Sequence, residues 1–251
     1  MSDTILESSV VADDYFQQSR RPLSSLLFVL PLLAVYELGV ALQGEQAILN
    51  GADLWLRQLL ETVGIGWAFA LPALIVGILL AWHHTTAQPW RVRASVLGGM
   101  VVECTVLAFA LLCSVQVQRW VFVELGLPLA FIGADAVFAI TPGEAFSRFV
   151  SYIGAGVYEE TLFRLMLLPL STAILRTAGL KPRVAVVLAA VTTSLLFSAA
   201  HHVGAHGEPF DAFRFTFRFA AGMMFCLLFL FRGFGIAVGA HALYDVFAGW
   251  S

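Results

Sequence analysis

Six stretches of this chain are apolar for long enough to cross a bilayer, and that pattern leaves few folds open. They lie at about residues 23–43, 66–82, 95–117, 183–201, 212–231 and 234–250. A helix rises about 1.5 Å per residue, so roughly 20 apolar residues span the hydrocarbon core. Composition agrees with the runs. The 251 residues are 59% hydrophobic and 12% charged, with 21 phenylalanines, against about 45–50% and about 25% in soluble domains. Such a chain cannot cover a water-facing surface. The fold class expected is all-α, a polytopic bundle of about seven to eight membrane helices with its working residues near the membrane interior.

The non-apolar residues give the organisation. Residues 1–22 form a polar N-terminal tail, 23–140 the N-terminal spans and an amphipathic connection, and 141–251 the remaining helices, all in one compact membrane domain. The tail shows no cleavable signal pattern, and Arg20 and Arg21 are expected to anchor the inner end of the first span. Residues 44–63 are amphipathic and expected to lie along the surface. In "TPGE", Thr141 can cap a helix, Pro142 suits its first position and Glu144 completes a capping box. Pro169 should then kink or interrupt that helix. Residues 121–140 carry Glu124, Pro128 and Asp135 and read as either a re-entrant piece or an eighth span. With a cytoplasmic N-terminus, Arg91, Arg93, Arg176, Lys181, Arg183 and Arg232 join Arg20 and Arg21 inside, a modest positive-inside bias. No stretch is basic enough for nucleic acid. Cys104, Cys113 and Cys226 lack metal-type spacing and read as small core residues.

Two adjacent glutamates and an arginine interrupt the greasy run "GVYEETLFRLMLLPL", residues 156–170. A charge near the bilayer centre costs about 2.5–3.5 kcal/mol on insertion scales, so charges there point first to function and otherwise to an ion pair that glues helices. Glu160 and Arg164 stand at i and i+4 and can pair. Glu159 is turned about 100° away and is left available as a base. Further ionisable groups follow on later helices: His201 in "LLFSAAHH", and His241 and Asp245, again i and i+4, in "GAHALYDVF".

The ordered trio "EETLFR", "FSAAH" and "HALYD" resembles the motifs Glu-Glu-x-x-x-Arg, Phe-x-x-x-His and His-x-x-x-Asn/Asp of the CPBP family. That family includes the type II CAAX prenyl endopeptidases and the Abi group of bacteriocin-processing or self-immunity proteins. The resemblance covers about residues 140–250 and implies an intramembrane endopeptidase in a bacterial plasma membrane, with the bilayer and a membrane-associated or lipid-modified protein or peptide as its partners. It implies that Glu159 activates a water with help from His201, and that Glu160 and Arg164 orient that carboxylate. His241 and Asp245 would stabilise the oxyanion. A carboxylate is a poor oxyanion donor unless protonated, so Asp245 could instead hold the tautomer of His241.

No cofactor is favoured. The rival is a zinc ion on Glu159, His201, His241 and Asp245, which would serve the same reaction. No His-Glu-x-x-His is present, and Arg164 beside the carboxylates disfavours a dication. Two other classes are a proton-coupled carrier, with Glu37, Glu103, Glu159 and the histidines as a relay, and a catalytically silent immunity or scaffold protein. Glu37 and Glu103 are expected in structural pairs, with Arg214 and Arg218 among the candidate partners. His83 and His84 are expected at the interface, as are Trp82, Trp90, Trp120 and Trp250.

Overall fold

The computed structural model describes residues 15–44, 47, 49–67, 69–129, 141–204 and 207–249. Residues 130–140, which carry most of the segment read as a re-entrant piece or an eighth span, lie outside these, as does Trp250. The described residues are helical and contain no strand. In chain order the helices are α1 (Pro22–Gln43), α2 (Gly51–Thr62), α3 (Ala70–Thr85), α4 (Ala94–Glu124) and α5 (Pro142–Gly154). Two π-helical turns follow, Ala155–Glu159 and Thr161–Leu167, and then α6 (Leu168–Thr177), α7 (Pro182–Ala200), α8 (Ala212–Arg232) and α9 (Phe234–Ala248).

Among the described residues, α1, α4, α7 and α8 are long and apolar enough to cross a membrane. The protein is integral to the membrane. The runs that became α3 and α9 are shorter, at 16 and 15 residues, which gives each about 22–24 Å of rise. Burial explains α9. Every residue from Phe234 to Ala242 is buried, as expected of a helix that is apolar all round. It is the axis on which α1, α4, α5, α8 and the first π turn pack. Conversely, α4 runs to 31 residues, past the apolar stretch. It stops where Gly126 takes φ 63. There the Gly126 and Leu127 amides donate to the Val123 and Phe122 carbonyls at 3.1 and 2.9 Å, a Schellman ending that glycine allows.

The start of α5 is as the sequence predicts. Thr141 accepts from the Glu144 amide, and the Glu144 carboxylate accepts from the Thr141 amide at 2.9 Å. The expected break at Pro169 takes a different form. Pro169 sits in the first turn of α6, where its missing N–H is tolerated. The irregularity is upstream, as two turns with i→i+5 bonding. Such turns are rare and collect at functional sites; here they hold Glu159 and Arg164 and flank Glu160.

Close backbone approach brings α9 against this segment. A Cβ on Gly156 would stand 2.8 Å from the Ala242 nitrogen and 2.9 Å from its Cα. Several peripheral expectations need correction. Cys113 is exposed, while Cys104 and Cys226 are buried; all three are free thiols. His83, in the last turn of α3, is fully buried, with its ring edge-on to Trp90 at 4.6 Å. Trp90 and Trp120 are exposed at 58% and 63%, as anchors would be.

Gly156→Ala is expected to destabilise the bundle by about 1–3 kcal/mol, because a helix backbone must move to admit the methyl. Gly98→Ala, where a Cβ meets nothing within 4 Å, is the control. Thermal unfolding in detergent should show a lower midpoint for the first variant only.

Candidate active site

The site grows outward from one carboxylate oxygen. Glu160 Oε1 accepts from Arg164 Nη1 at 3.0 Å and stands 2.7 Å from His241 Nδ1. Glu160 and Arg164 are completely buried. Their neighbours are arranged for a guanidinium: Nη2 donates to the Gly222 carbonyl at 3.1 Å, and the cation lies 4.4 Å from the Phe197 ring centroid and 5.3 Å from that of Phe225. Cation–π attraction strengthens when water is excluded. The pair therefore ties the π segment to α7 and α8, while the imidazole bond ties it to α9.

His241 has its Nδ1 committed to a carboxylate, so that nitrogen carries a proton and Nε2 faces the cavity. Its ring stacks on Phe225 at 4.5 Å. The orienting acid at Nδ1 is Glu160, where the sequence pointed to Asp245. Asp245 Oδ2 stands instead 3.5 Å from Nε2. His201, which caps α7, places Nδ1 2.8 Å from the Phe197 carbonyl. A carbonyl only accepts, so this nitrogen is also the protonated one and Nε2 is presented outward.

Glu159 turns to partners outside the Glu160–Arg164 pair. Its Oε1 accepts from Asn50 Nδ2 at 2.8 Å. Its Oε2 is buried and, among the described residues, has no hydrogen-bond partner; it lies 3.8 Å from His201 Nε2 and 3.9 Å from His241 Nε2. The six residues singled out from sequence thus form one connected cluster. A cavity of about 280 Å³ reaches Glu159 and His201 between Asn50, Trp55 and Gly204. Another of about 660 Å³ reaches His201, His241 and Asp245 beside Phe217 and Arg218. His201 and Glu208 line both.

Zinc bonds of about 2.0–2.1 Å in a tetrahedron bring ligand atoms to about 3.3 Å of one another, closer than Glu159 lies to either imidazole. Among the described residues no group of three histidine, cysteine, aspartate or glutamate side chains could hold a metal ion.

Sequence reasoning missed Asn50, because the amphipathic connection was expected on the surface. The signal available was the Asn-Gly at the start of α2. It also mispaired the outlying charges. Glu37 pairs with Arg57 at 3.0 Å and accepts from the Tyr158 hydroxyl. Glu103 pairs with Arg232 at 2.6 Å and accepts from Tyr15 at 2.5 Å. Arg214 and Arg218 both reach Glu208 at 2.8 Å. Glu208 lies in the loop between α7 and α8. Partial burial works to raise its pKa, but hydrogen bonds from the two guanidiniums outweigh this and hold the carboxyl below its usual range.

Residues 141–247 match the family model described as Type II CAAX prenyl endopeptidase Rce1-like. No curated protein matches the chain, and no solved structure does.

Glu160→Gln is expected to cost about 3–5 kcal/mol, since it leaves the Arg164 charge buried without its partner. Adding Arg164→Met should recover part of that loss, because the isolated charge is then gone. Denaturation midpoints of the two variants in detergent check both statements.

Proposed function

We propose that this protein is a membrane-embedded peptidase of the type II CAAX prenyl endopeptidase Rce1-like kind, whose family model residues 141–247 match, and that Glu159 activates the attacking water. The observation that carries it is the buried, unbonded Oε2 of Glu159 between two imidazole nitrogens at 3.8 and 3.9 Å. Those gaps are too long for direct hydrogen bonds. They are spans that one water bridges. Such a water donates one hydrogen to Glu159 Oε2 and the other to His201 Nε2, which leaves a lone pair for the substrate carbonyl.

The steps follow from where protons reside. As the water oxygen bonds to the carbonyl carbon, its proton passes to Glu159 Oε2, because Oε1 already accepts from Asn50. The carbonyl oxygen gains negative charge opposite His241, which in its doubly protonated form donates from Nε2 toward the larger cavity, with Asp245 beside it. Fixed donors in a low-dielectric cleft stabilise such charge strongly. When the C–N bond breaks, Glu159 returns its proton to the leaving amine, so base and acid are the same group in successive steps. Arg164 and Glu160 touch neither water nor carbonyl in this scheme; they hold His241 and the π segment in register.

The substrate class follows from the family and the setting: membrane-associated proteins cut near a lipid-modified or C-terminal anchoring segment, or at a leader. Among the described residues the proposal has seven crossings, with α3, the α5–α6 unit and α9 added to the four long helices, in a bacterial plasma membrane. The carrier alternative loses ground because Glu37 and Glu103 are each held by an arginine and so are poor links in a proton relay.

Glu159→Gln should lower peptide hydrolysis by about 10²–10⁴-fold, the usual contribution of a general base, with unfolding unchanged. Terminal-fragment proteomics comparing wild type with this variant reads both activity and substrate; equal fragments in both strains would remove Glu159 from the reaction. A chelator applied under conditions that preserve folding should leave activity intact. Loss of activity that zinc restores would replace the glutamate scheme with the metal one.

A further inference from the structure

We infer that Asn50 is a positioning residue for the reaction, supplied from the amphipathic connection and not from the helices that carry the family motifs. It lies outside residues 141–247, which match the family model. The inference rests on Glu159 being the base and adds to it the group that decides which of its two oxygens works.

Two contacts of one side chain carry the argument. Asn50 Oδ1 accepts from the Ala52 amide at 2.8 Å, which caps α2. A backbone amide only donates, so this contact settles which end of the amide group is oxygen. The other end is then the NH₂, and it donates to Glu159 Oε1 at 2.8 Å. With Oε1 occupied, Oε2 is the oxygen left for water, on the side of His201 and His241. A carboxylate free to rotate would exchange its two oxygens; this one is held by one of them.

The clamp is effective only if α2 is fixed, and it is. Asp53, fully buried on the first turn of α2, accepts from the Tyr36 hydroxyl of α1 at 2.7 Å and from Arg57 Nε at 2.6 Å. Arg57 reaches on to Glu37 at 3.0 Å, and Glu37 accepts from the hydroxyl of Tyr158. Tyr158 immediately precedes Glu159. The base is therefore gripped twice by α1 and α2, once through its own oxygen and once through its neighbour in the chain. Groups act as a unit when connected this closely, and misplacement of about 1 Å can cost about 100-fold in rate.

The test exploits the two jobs of the side chain. Aspartate and serine cap helices as well as asparagine does, but neither carries an amide NH₂ to donate to Glu159. Asn50→Ser is therefore expected to keep the wild-type unfolding midpoint and KM and to lose about 100-fold in kcat. Asn50→Asp, which sets a second carboxylate against Glu159, should lose at least as much and also lower the midpoint. If Asn50 were a cap alone, Asn50→Ser would turn over like wild type, and that result overturns the inference while Glu159→Gln still reports on the base. A second readout does not depend on turnover. The carboxylate stretch assigned to Glu159, by its absence from Glu159→Gln, should shift in infrared difference spectra of Asn50→Ser. An unmoved band overturns the positioning role even if Glu159 proves not to be the base.

Discussion

The architecture depends on a single shared acceptor, Glu160 Oε1, placed between a guanidinium and an imidazole, all three side chains buried. Desolvating the two ions of such a pair is costly, and their attraction offsets the cost only when geometry and further hydrogen bonds are good. Here the Gly222 carbonyl and the Phe197 and Phe225 rings complete the surroundings of Arg164. The result is a polar knot that lipid cannot replace. It holds α7, α8, α9 and the π segment in one relative position, and the reactive groups inherit that position.

Division of labour between the adjacent glutamates follows from this knot. Glu160 spends its charge on Arg164 and its remaining bonding on His241, so it is a support. Glu159 lines the smaller cavity with one oxygen held by Asn50 and the other, among the described residues, without a hydrogen-bond partner. The π-helical turns make the division possible, since an i→i+5 turn re-aims side chains relative to a regular helix while leaving the chain continuous. The tight contact of Gly156 with Ala242 brings α9, and hence His241, within reach of both acids.

Much of this was readable in the chain. The order Glu-Glu-x-x-x-Arg, then His201, then His241 and Asp245, marked the cluster, because an ionisable residue in an apolar run demands a partner or a task. The capping box at Thr141 was readable because capping is local chemistry between residues three apart. Partners chosen across the bundle were not. Glu103 is bound to Arg232, 129 positions away, and periodicity carries no signal for such a pairing. Asp245, one turn on, is the alternative the sequence offers for holding the tautomer of His241, whereas the acid at Nδ1 is Glu160, from another segment.

By itself the sequence determined that the chain is helical and membrane-embedded, where its charged residues interrupt the apolar runs, and which of them share a helical face. These are consequences of composition, hydrophobic run length and short-range spacing. Only the tertiary structure decided that α9 is the buried axis, that Glu160 and not Asp245 holds His241, and that Asn50 reaches Glu159 from the amphipathic connection. The reason is physical: a side chain's solvent and hydrogen-bond partners are set by the helices packed against it, and a bilayer satisfies no polar group that the bundle leaves unpaired.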